Sequence, residues 1–282
     1  MSPRLSIVIV SFNTREDLLR CLESVAAAPP AVPHEIAVVD NASSDGSPDA
    51  VGARWPSVRL LRLERNIGFA GANNIGIRQT CGEFVLLLNS DTLVPPGAID
   101  RLVDRLAATP AAAVAGPRLI DGDGRTELSF GPMIGPVAEL RQKFVTLLHQ
   151  SGYALGSWWV TRLTRKERYV DWVSGAALLV RRADANAVGL LDERYFLYTE
   201  DVDFCAALRA RGRRILFTPA ATVVHLRGRS RATVPGLMNA AYRRSQIAFY
   251  EKHHPRWAPL LRAYLEARGR LPAPERRGEP EP

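Results

Sequence analysis

The chain has 282 residues, 46% of them hydrophobic and 23% charged, which predicts a soluble globular protein of one or two domains. Its formal net charge of +8 favours an anionic partner: nucleic acid, an anionic membrane surface or a phosphorylated substrate. The three cysteines Cys21, Cys81 and Cys205 are far apart, which argues against a disulfide framework or a zinc site and predicts a reducing compartment.

Strands and helices alternate through the first 115 residues. Hydrophobic periodicity predicts strands at Leu5–Val10, Glu35–Val39, Val58–Leu63 and Phe84–Leu88, and helices at 15–28, Ala70–Thr80 and Ala98–Ala108. Thr14 is the predicted N-cap of the first helix. This alternation predicts a mostly parallel α/β sheet with helices on both faces. The first apolar run is too short for a signal peptide, and no run reaches membrane-spanning length, so we expect a cytoplasmic protein.

The pattern is weaker in the second half of the chain. Residues 136–168 are predicted to be a solvated helix packed on the domain, with a peripheral membrane or lipid-substrate contact as the alternative. Further elements are predicted as strands at Ala176–Val180, Ile215–Thr218 and Thr222–Val224, and as helices at Phe204–Arg211 and 237–253. The last dozen residues are too polar to bury a core and are expected to be disordered.

Three predicted strands end in polar residues, namely Ser11-Phe12-Asn13, Asp40-Asn41 and Asn89-Ser90-Asp91. Ligands of open α/β sheets bind outside the carboxyl ends of the strands, so these residues indicate a binding site. Mg²⁺ or Mn²⁺ prefers oxygen ligands, and Asp91 offers a carboxylate beside the amide oxygen of Asn89. The alternative is an ordinary turn at the end of a strand. No glycine-rich dinucleotide or P-loop motif occurs.

Several other residues have two possible interpretations. Gly68, Gly71 and Gly76, with nearby asparagines, indicate either close helix packing or a backbone close to a nucleotide. Asp121-Gly122-Asp123-Gly124 is a turn, and a calcium loop is disfavoured because the later ligand positions are absent. His225 is either structural or a metal ligand. The arginines at 227, 229 and 231 are either solvated or close over a diphosphate.

The ordered motifs together resemble family 2 glycosyltransferases with the GT-A fold, in particular bacterial rhamnosyltransferase-type members. The motifs are LSIVIVSFN at 5–13, VVDNASSDGS at 38–47, ERNIGFAGANNIGI at 64–77, LLLNSDT at 86–92, WVSGAALLVRR at 172–182, YFLYTEDVDFCAALRARG at 195–212 and VVHLRGRS at 223–230. The resemblance runs from about residue 5 to 255.

The resemblance implies a donor-nucleotide site in which Phe12 stacks on the base. The residues implied to bind the donor nucleotide are Ser11, Phe12, Asn13, Asp40, Asn41, Asn66, Gly68, Asn73, Asn89 and Ser90. The family's D-x-D motif binds the metal on the donor diphosphate. Here the motif is Asn89-Ser90-Asp91, so Asp91 carries most of that role. His225 is implied to complete the Mg²⁺ or Mn²⁺ shell, and Arg227 and Arg229 to close over the diphosphate.

The resemblance also implies a catalytic pair, in which Asp201 is the general base and Glu200 lies beside it. With Asp203 they form a crowded acidic trio, which would raise the pKa of the base. The alternative is that these acids only favour the start of a helix. Trp172 and Gly175 are implied to bind the acceptor.

The resulting hypothesis is an inverting transferase that moves a sugar to a glycan or lipid-linked acceptor of the cell envelope. The resemblance implies rhamnose from dTDP-rhamnose. A UDP- or GDP-sugar donor and a nucleotide-sugar-binding protein without turnover are the alternatives. Nucleic acid is disfavoured because the arginines are not interleaved with aromatics. We expect a nucleotide-binding half at 1–115, an acceptor and catalytic half at 116–232, a helical extension at 233–270 and a tail at 271–282.

Overall fold

The computed structural model describes residues 2–136, 154–226 and 235–272. The strands are β1 (Leu5–Ser11), β2 (His34–Asp40), β3 (Arg59–Arg62), β4 (Phe84–Asn89), β5 (Thr92–Leu93), β6 (Ala112–Ile120), β7 (Phe130–Gly131), β8 (Arg168–Val170), β9 (Trp172–Val173), β10 (Ala177–Arg181) and β11 (Arg214–His225). The helices are α1 (Arg15–Ala27), α2 (Ser47–Arg54), α3 (Gly68–Arg78), α4 (Ala98–Ala107), α5 (Ala154–Leu163), α6 (Arg182–Ala187), α7 (Glu200–Ala210), α8 (Pro235–His253) and α9 (Ala258–Ala267).

A nine-stranded sheet organises the fold, in the order β3-β2-β1-β4-β10-β6-β11-β5, and β8 pairs with β11. The four strands from β3 to β4 are parallel, as predicted. The sheet as a whole is mixed, because β10 runs antiparallel to both β4 and β6. A fully buried apolar strand such as β10 looks the same in either direction, so its sequence does not predict this reversal. The expected boundary at residue 115 falls inside β6, so the two halves share one sheet.

Both faces of the sheet are covered, which explains why β1 is apolar throughout rather than alternating. Ile7 and Ile9 pack with α1 and α4, whereas Val8 and Val10 pack on the opposite face with α3 and α7. Each fully buried side chain of this size contributes about 1.5–3 kcal/mol. The two cores therefore hold the strand ends in fixed positions.

Several elements differ from their predicted bounds. Helix α7 begins at Glu200 rather than at Phe204, so the acidic residues lie in its first turn. Strand β11 is continuous from Arg214 to His225, with a pairing irregularity between Thr218 and Thr222 where two strands were expected. Of the helix predicted at 136–168, the structure describes α5 and then β8, and residues 137–153 lie outside the described residues. So do residues 273–282 of the expected tail.

Within the described ranges, no helix has both the length and the apolar character needed to cross a membrane.

Candidate functional site

The polar ends of three parallel strands meet at one edge of the sheet. Ser11 pairs in register with Asp40, and Val10 pairs with Asn89. A chain of hydroxyl groups continues from β1, because the Ser11 and Thr14 oxygens lie 3.0 Å apart and those of Thr14 and Ser90 lie 2.9 Å apart. Thr14 occupies the predicted N-cap position of α1, but its side chain makes these contacts instead of a cap hydrogen bond. The structure thus brings the three predicted polar segments together.

Asp40 Oδ1 and Asn89 Oδ1, both at this edge, are buried oxygen atoms without a hydrogen-bond partner among the described residues. The other oxygen of Asp40 accepts a hydrogen bond from the Ser43 N–H at 3.0 Å. A buried acceptor without a partner costs about 1–3 kcal/mol. Both atoms are therefore suited to receive a donor group or a cation. Phe12 and Asn13, which follow β1, are partly exposed and exposed respectively.

Hydrogen bonds of the Asn41 and Asn66 side chains, together called the amide lock, join the end of β2 to the loop before α3. The Asn41 side chain accepts from the Ile67 N–H at 2.9 Å and donates to Asn66 Oδ1 at 2.7 Å. Asn66 Oδ1 also accepts from the Gly68 N–H at 3.0 Å. Gly68 has φ +80, and a Cβ there would lie 2.5 Å from the carbonyl oxygen of Phe196. Asn41 and Gly68 therefore shape the loop through contacts within the protein.

Asn73, which the resemblance implies to bind the nucleotide, is buried and hydrogen-bonded within its own helix. Its side chain donates to the Phe69 carbonyl of its own helix at 2.9 Å, and the residue is 1% exposed. Of the two neighbouring asparagines in α3, Asn73 bonds to its own helix and Asn74 donates to the Leu191 carbonyl of a distant loop. The sequence alone does not show which asparagine has which role.

Asp91 and His225 form a buried pair at the same edge. Strand β5 pairs with the end of β11, with His225 opposite Thr92, which places His225 Nε2 3.3 Å from Asp91 Oδ1. The other ring nitrogen lies 3.5 Å from Glu127 Oε2. Burial alone would lower the pKa of His225, but hydrogen bonding to the two carboxylates outweighs it and raises that pKa. Glu127 is a residue that the sequence analysis missed.

A tight turn after β6 places Glu127 beside the histidine. The Asp121 carboxylate accepts from the N–H groups of Asp123 and Arg125, at 2.9 and 2.8 Å. The chain then returns along β6, and the Glu127 N–H donates to the Leu119 carbonyl at 2.9 Å. The turn cluster thus uses Asp121 for its own backbone. The turn residues gave a signal for the reversal, but not for the partner of Glu127.

Glu200 and Asp201 occupy the first turn of α7. Asp201 accepts from the Gly175 N–H and the Val202 N–H, each at 2.8 Å. Burial raises the pKa of Asp201, and those two hydrogen bonds oppose the rise. Burial and then the charge of Asp201 raise the pKa of Glu200 well above its ordinary value. Glu200 Oε2 is buried and has no hydrogen-bond partner in the part of the chain that the structure describes. The pair therefore resists full ionisation.

Asp203 does not act with this pair as the expected acidic trio. It is 2% exposed, and it accepts from Tyr195 at 3.1 Å, Lys252 at 2.8 Å and His253 at 2.6 Å. Although burial raises the pKa of Asp203, hydrogen bonds from His253 and Lys252 outweigh that effect and lower it. Burial, rather than crowding by three acids, is thus the main cause of the raised pKa of Asp201.

Backbone strain is concentrated at this edge. Among the described residues, five other than glycine have positive φ, and four of them, Asn13, Ala42, Tyr198 and Thr199, lie next to the groups above. Such conformations cost about 1–2 kcal/mol each and persist where the surroundings fix them. Tyr198 and Thr199 directly precede Glu200, so the strained turn sets the entry of α7.

Of the two residues implied to bind the acceptor, Gly175 contacts Asp201 and Trp172 contacts Pro132. Gly175 supplies the N–H to Asp201, and a Cβ on it would lie 3.3 Å from Asp201 Cβ. Trp172 is 8% exposed, and its indole N–H donates to the Pro132 carbonyl at 2.8 Å. Arg227, Arg229 and Arg231 lie outside the described residues.

The metal-ligating side chains at this edge suit a divalent metal ion that is also coordinated by phosphate oxygens of a bound molecule. Within residues 2–136, 154–226 and 235–272, no three acidic, histidine or cysteine side chains are arranged to hold a metal by themselves. Asp91 and His225 offer one carboxylate and one imidazole, and Asn89 adds a buried amide oxygen. Mg²⁺ and Mn²⁺ are commonly bound by one or two such groups plus phosphate oxygens and water.

Comparisons with known proteins agree on the family and the fold. The model of glycosyl transferase family 2 matches residues 6–163. A curated N-acetylglucosaminyl-diphospho-decaprenol L-rhamnosyltransferase of Mycobacterium tuberculosis is 34% identical over 96% of this chain and 93% of its own length. An O-antigen biosynthesis protein of Myxococcus xanthus is 28% identical over 94% of this chain, which spans 20% of that protein.

Solved structures extend the likeness at lower identity. A mannosyltransferase from Pyrobaculum calidifontis, in complex with GDP-Man and Mn²⁺, matches with a TM-score of 0.60 and 18% identity, over 94% of this chain and 69% of that one. GalNAc-T7, with UDP, GalNAc and Mn²⁺, also has a TM-score of 0.60, at 19% identity over 87% of this chain and 48% of that one. These likenesses confirm the predicted GT-A fold.

Proposed function

The chain belongs to glycosyltransferase family 2 and is a glycosyltransferase, and we propose that it transfers rhamnose from dTDP-rhamnose to a hydroxyl of a lipid-linked glycan with inversion at the anomeric carbon. A relative that is 34% identical over 96% of the chain is named as an N-acetylglucosaminyl-diphospho-decaprenol L-rhamnosyltransferase. The observation on the site that carries the proposal is the pair of carboxylates at the start of α7, in which Glu200 is buried and the partly exposed Asp201 accepts a hydrogen bond from the Gly175 N–H. A UDP- or GDP-sugar is the alternative donor.

The donor nucleotide is proposed to lie across the polar strand ends. Phe12 is partly exposed and offers a ring on which a base can stack, and Asp40 Oδ1 offers a buried acceptor for a hydroxyl or imino group. The amide lock of Asn41 and Asn66 holds the floor of this region. Arg227 and Arg229 follow β11 directly in the sequence and are proposed to approach the diphosphate.

Asp91 and His225 are proposed to hold a Mg²⁺ or Mn²⁺ ion together with the donor diphosphate. When bound, such a metal neutralises charge that develops on the leaving nucleoside diphosphate. His225 must be neutral to ligate, so protonation, which the two neighbouring carboxylates favour by raising its pKa, competes with metal binding. The two solved neighbours with Mn²⁺ support this choice of cofactor.

Asp201 is proposed to be the general base. It accepts the proton of the acceptor hydroxyl while that oxygen bonds to the anomeric carbon, and the bond from that carbon to the diphosphate oxygen breaks. Its raised pKa brings it closer to the operating pH, which favours proton transfer. The two backbone N–H groups fix the carboxylate, so its remaining lone pairs have a defined direction.

The acceptor is proposed to enter beside Gly175 and Trp172, and the lipid carrier implies peripheral contact with a membrane surface at the cytoplasmic side. The hydrogen bond from the Trp172 indole N–H to the Pro132 carbonyl fixes the Trp172 ring, which forms the proposed acceptor wall. A nucleotide-sugar-binding protein without turnover remains the competing function. It would not require a buried carboxyl at Glu200 beside Asp201, which is costly to maintain.

The test is the substitution Asp201→Asn. A general base contributes about 10²–10⁴-fold, so we expect turnover to fall by at least 10²-fold with dTDP affinity unchanged. Glu193→Gln is the matched control, because Glu193 is exposed and lies outside the site. A parallel loss of dTDP affinity would contradict the assigned role, and so would a loss of turnover below 10-fold.

A further inference from the structure

We infer that Glu127 is a positioning residue that orients His225 toward the metal and donor diphosphate, an inference that rests on the proposed function. His225 lies between two carboxylates, with Nε2 toward Asp91 and Nδ1 toward Glu127. The two carboxylates are therefore on opposite sides of one ring. A metal shared by Asp91 and His225 Nε2 leaves Glu127 to accept a hydrogen bond from Nδ1–H.

The chemistry of this arrangement favours such a role. A histidine that ligates through one nitrogen commonly donates its other N–H to a carboxylate, which fixes the tautomer and increases the basicity of the ligating nitrogen. The Glu127 side chain is 11% exposed, and that of His225 is 10% exposed. Little solvent therefore screens their contact, and water competes weakly for the ring.

The reduced D-x-D motif gives this contact particular importance. Asn89 replaces the first carboxylate of the motif. Asp91 is therefore the one carboxylate among Asn89, Ser90 and Asp91. A stronger histidine ligand would offset part of that loss. The backbone holds Glu127 firmly, because its N–H donates to Leu119 and Thr126 forms a bridge with Ile120.

The experiment measures Mn²⁺ binding by the full chain, by electron paramagnetic resonance of free Mn²⁺, and dTDP binding by calorimetry with and without Mn²⁺. We expect Glu127→Ala to weaken Mn²⁺ binding 10–100-fold while dTDP affinity in EDTA stays within twofold of the wild type. Glu127→Gln keeps an acceptor oxygen of the same reach, so it should recover part of the loss. Glu167→Ala, which removes an acid paired with Arg105, is the control.

Each outcome bears on a different claim. Unchanged Mn²⁺ affinity in Glu127→Ala would overturn the positioning role while leaving the proposed function intact. An equal loss of dTDP affinity in EDTA would show a structural role instead. If the wild type binds dTDP well but shows no Mn²⁺ dependence, both this inference and the proposed metal fall.

A second inference concerns an exposed apolar surface on α9. We propose that the α9 outer face, formed by Trp257, Leu260 and Tyr264, docks on an anionic lipid bilayer. These side chains are 50%, 61% and 53% exposed, and the spacing of three and four residues puts them on one side of the helix. An adjacent side of the helix packs on the protein through Ala258 and Leu265, which are 6% and 0% exposed.

Charge and position favour a bilayer as the occupant. Arg256, Arg268 and Arg270 flank the α9 outer face and are exposed, and the whole chain is basic. Tryptophan and tyrosine with flanking arginines suit the boundary between headgroups and acyl chains. The preceding corner of the chain reaches the proposed acceptor wall, since His254 Nε2 lies 2.7 Å from the carbonyl oxygen of Ile134.

Vesicle co-sedimentation tests this surface without any need for activity. We expect the full chain to bind phosphatidylglycerol vesicles at least 10-fold more tightly than phosphatidylcholine vesicles. Replacing Trp257, Leu260 and Tyr264 together with serine should abolish that binding, whereas Tyr169→Ser, at another residue that is 50% exposed, should not. Equal binding by the triple variant would overturn the proposal. Concentration-dependent dimerisation lost in the triple variant, without vesicle binding, would also overturn it by identifying a second copy of the chain as the occupant.

Discussion

Replacing Gly68 with alanine should separate two parts of the site that lie far apart in sequence. Gly68 has φ +80, and an added Cβ would lie 2.5 Å from the carbonyl oxygen of Phe196 and 2.9 Å from its Cα. The neighbouring Phe69 N–H donates to the same carbonyl oxygen at 2.7 Å. The loop before α3 and the segment before α7 therefore cannot move apart without losing that hydrogen bond.

The expected cost has two parts. Alanine in the left-handed region costs about 1–2 kcal/mol. Losing the hydrogen bond as the backbone moves away costs about 0.5–1.5 kcal/mol more. We therefore expect Gly68→Ala to lower the free energy of unfolding by about 1.5–3.5 kcal/mol. Gly189→Ala is the matched control, because Gly189 has φ +84 with no atom within 4 Å of an added Cβ.

Urea unfolding of the two variants and calorimetric titration with dTDP would check this reasoning. Gly189→Ala carries only the first cost, about 1–2 kcal/mol, and should leave dTDP affinity unchanged. Gly68→Ala should lose more stability and also bind dTDP more weakly, because the loop before α3, which borders the proposed nucleotide site, shifts. Equal destabilisation by the two substitutions would refute the close approach as the reason for glycine at position 68.

Two further predictions concern buried charge. Lys252→Met removes a cation 2.8 Å from the buried Asp203 and should lower the free energy of unfolding in urea by about 1.5–3 kcal/mol. The control Arg262→Met breaks only the exposed pair with Glu251 and should cost under about 1 kcal/mol. Equal costs would contradict the role of Asp203 as a buried acceptor that Lys252 stabilises. Because the pKa of Glu200 is raised in the folded state, folding binds protons above the ordinary glutamate pKa, and wild-type stability should fall as pH rises through that window. The stability gained by Glu200→Gln should therefore grow as pH rises above the ordinary glutamate pKa, and a gain independent of pH would contradict the burial of this carboxyl.

The sequence predicted the N-terminal half of the fold well because its elements are regular. Strands β1, β2 and β4 are short apolar runs closed by polar residues, and the intervening helices have clear periodicity. Their parallel pairing follows from the alternation of strand and helix. The meeting of Ser11, Asp40 and Asn89 at one edge then follows from topology.

The parts that could not be predicted depend on long-range pairing. Glu127 reaches His225 only because β6 and β11 pair in parallel and the chain reverses after β6. Asp203 looked equivalent to Asp201 in the sequence, and two residues on a helix differ by about 200° in direction. That difference turns Asp203 toward Lys252 and His253, away from Gly175. Helix periodicity encodes the different directions of the two carboxylates, whereas the partners that each one meets depend on long-range packing.

The measurement that tests the central claim most directly is a transfer assay with product analysis. The full chain is incubated with Mn²⁺, a lipid-linked N-acetylglucosamine acceptor and, in turn, dTDP-rhamnose, UDP-glucose and GDP-mannose. We predict transfer of rhamnose in preference to the other sugars, with the anomeric configuration of the product, read by NMR, opposite to that of the donor. Retention of configuration, or no transfer from any donor by a folded protein that binds dTDP, would contradict the account.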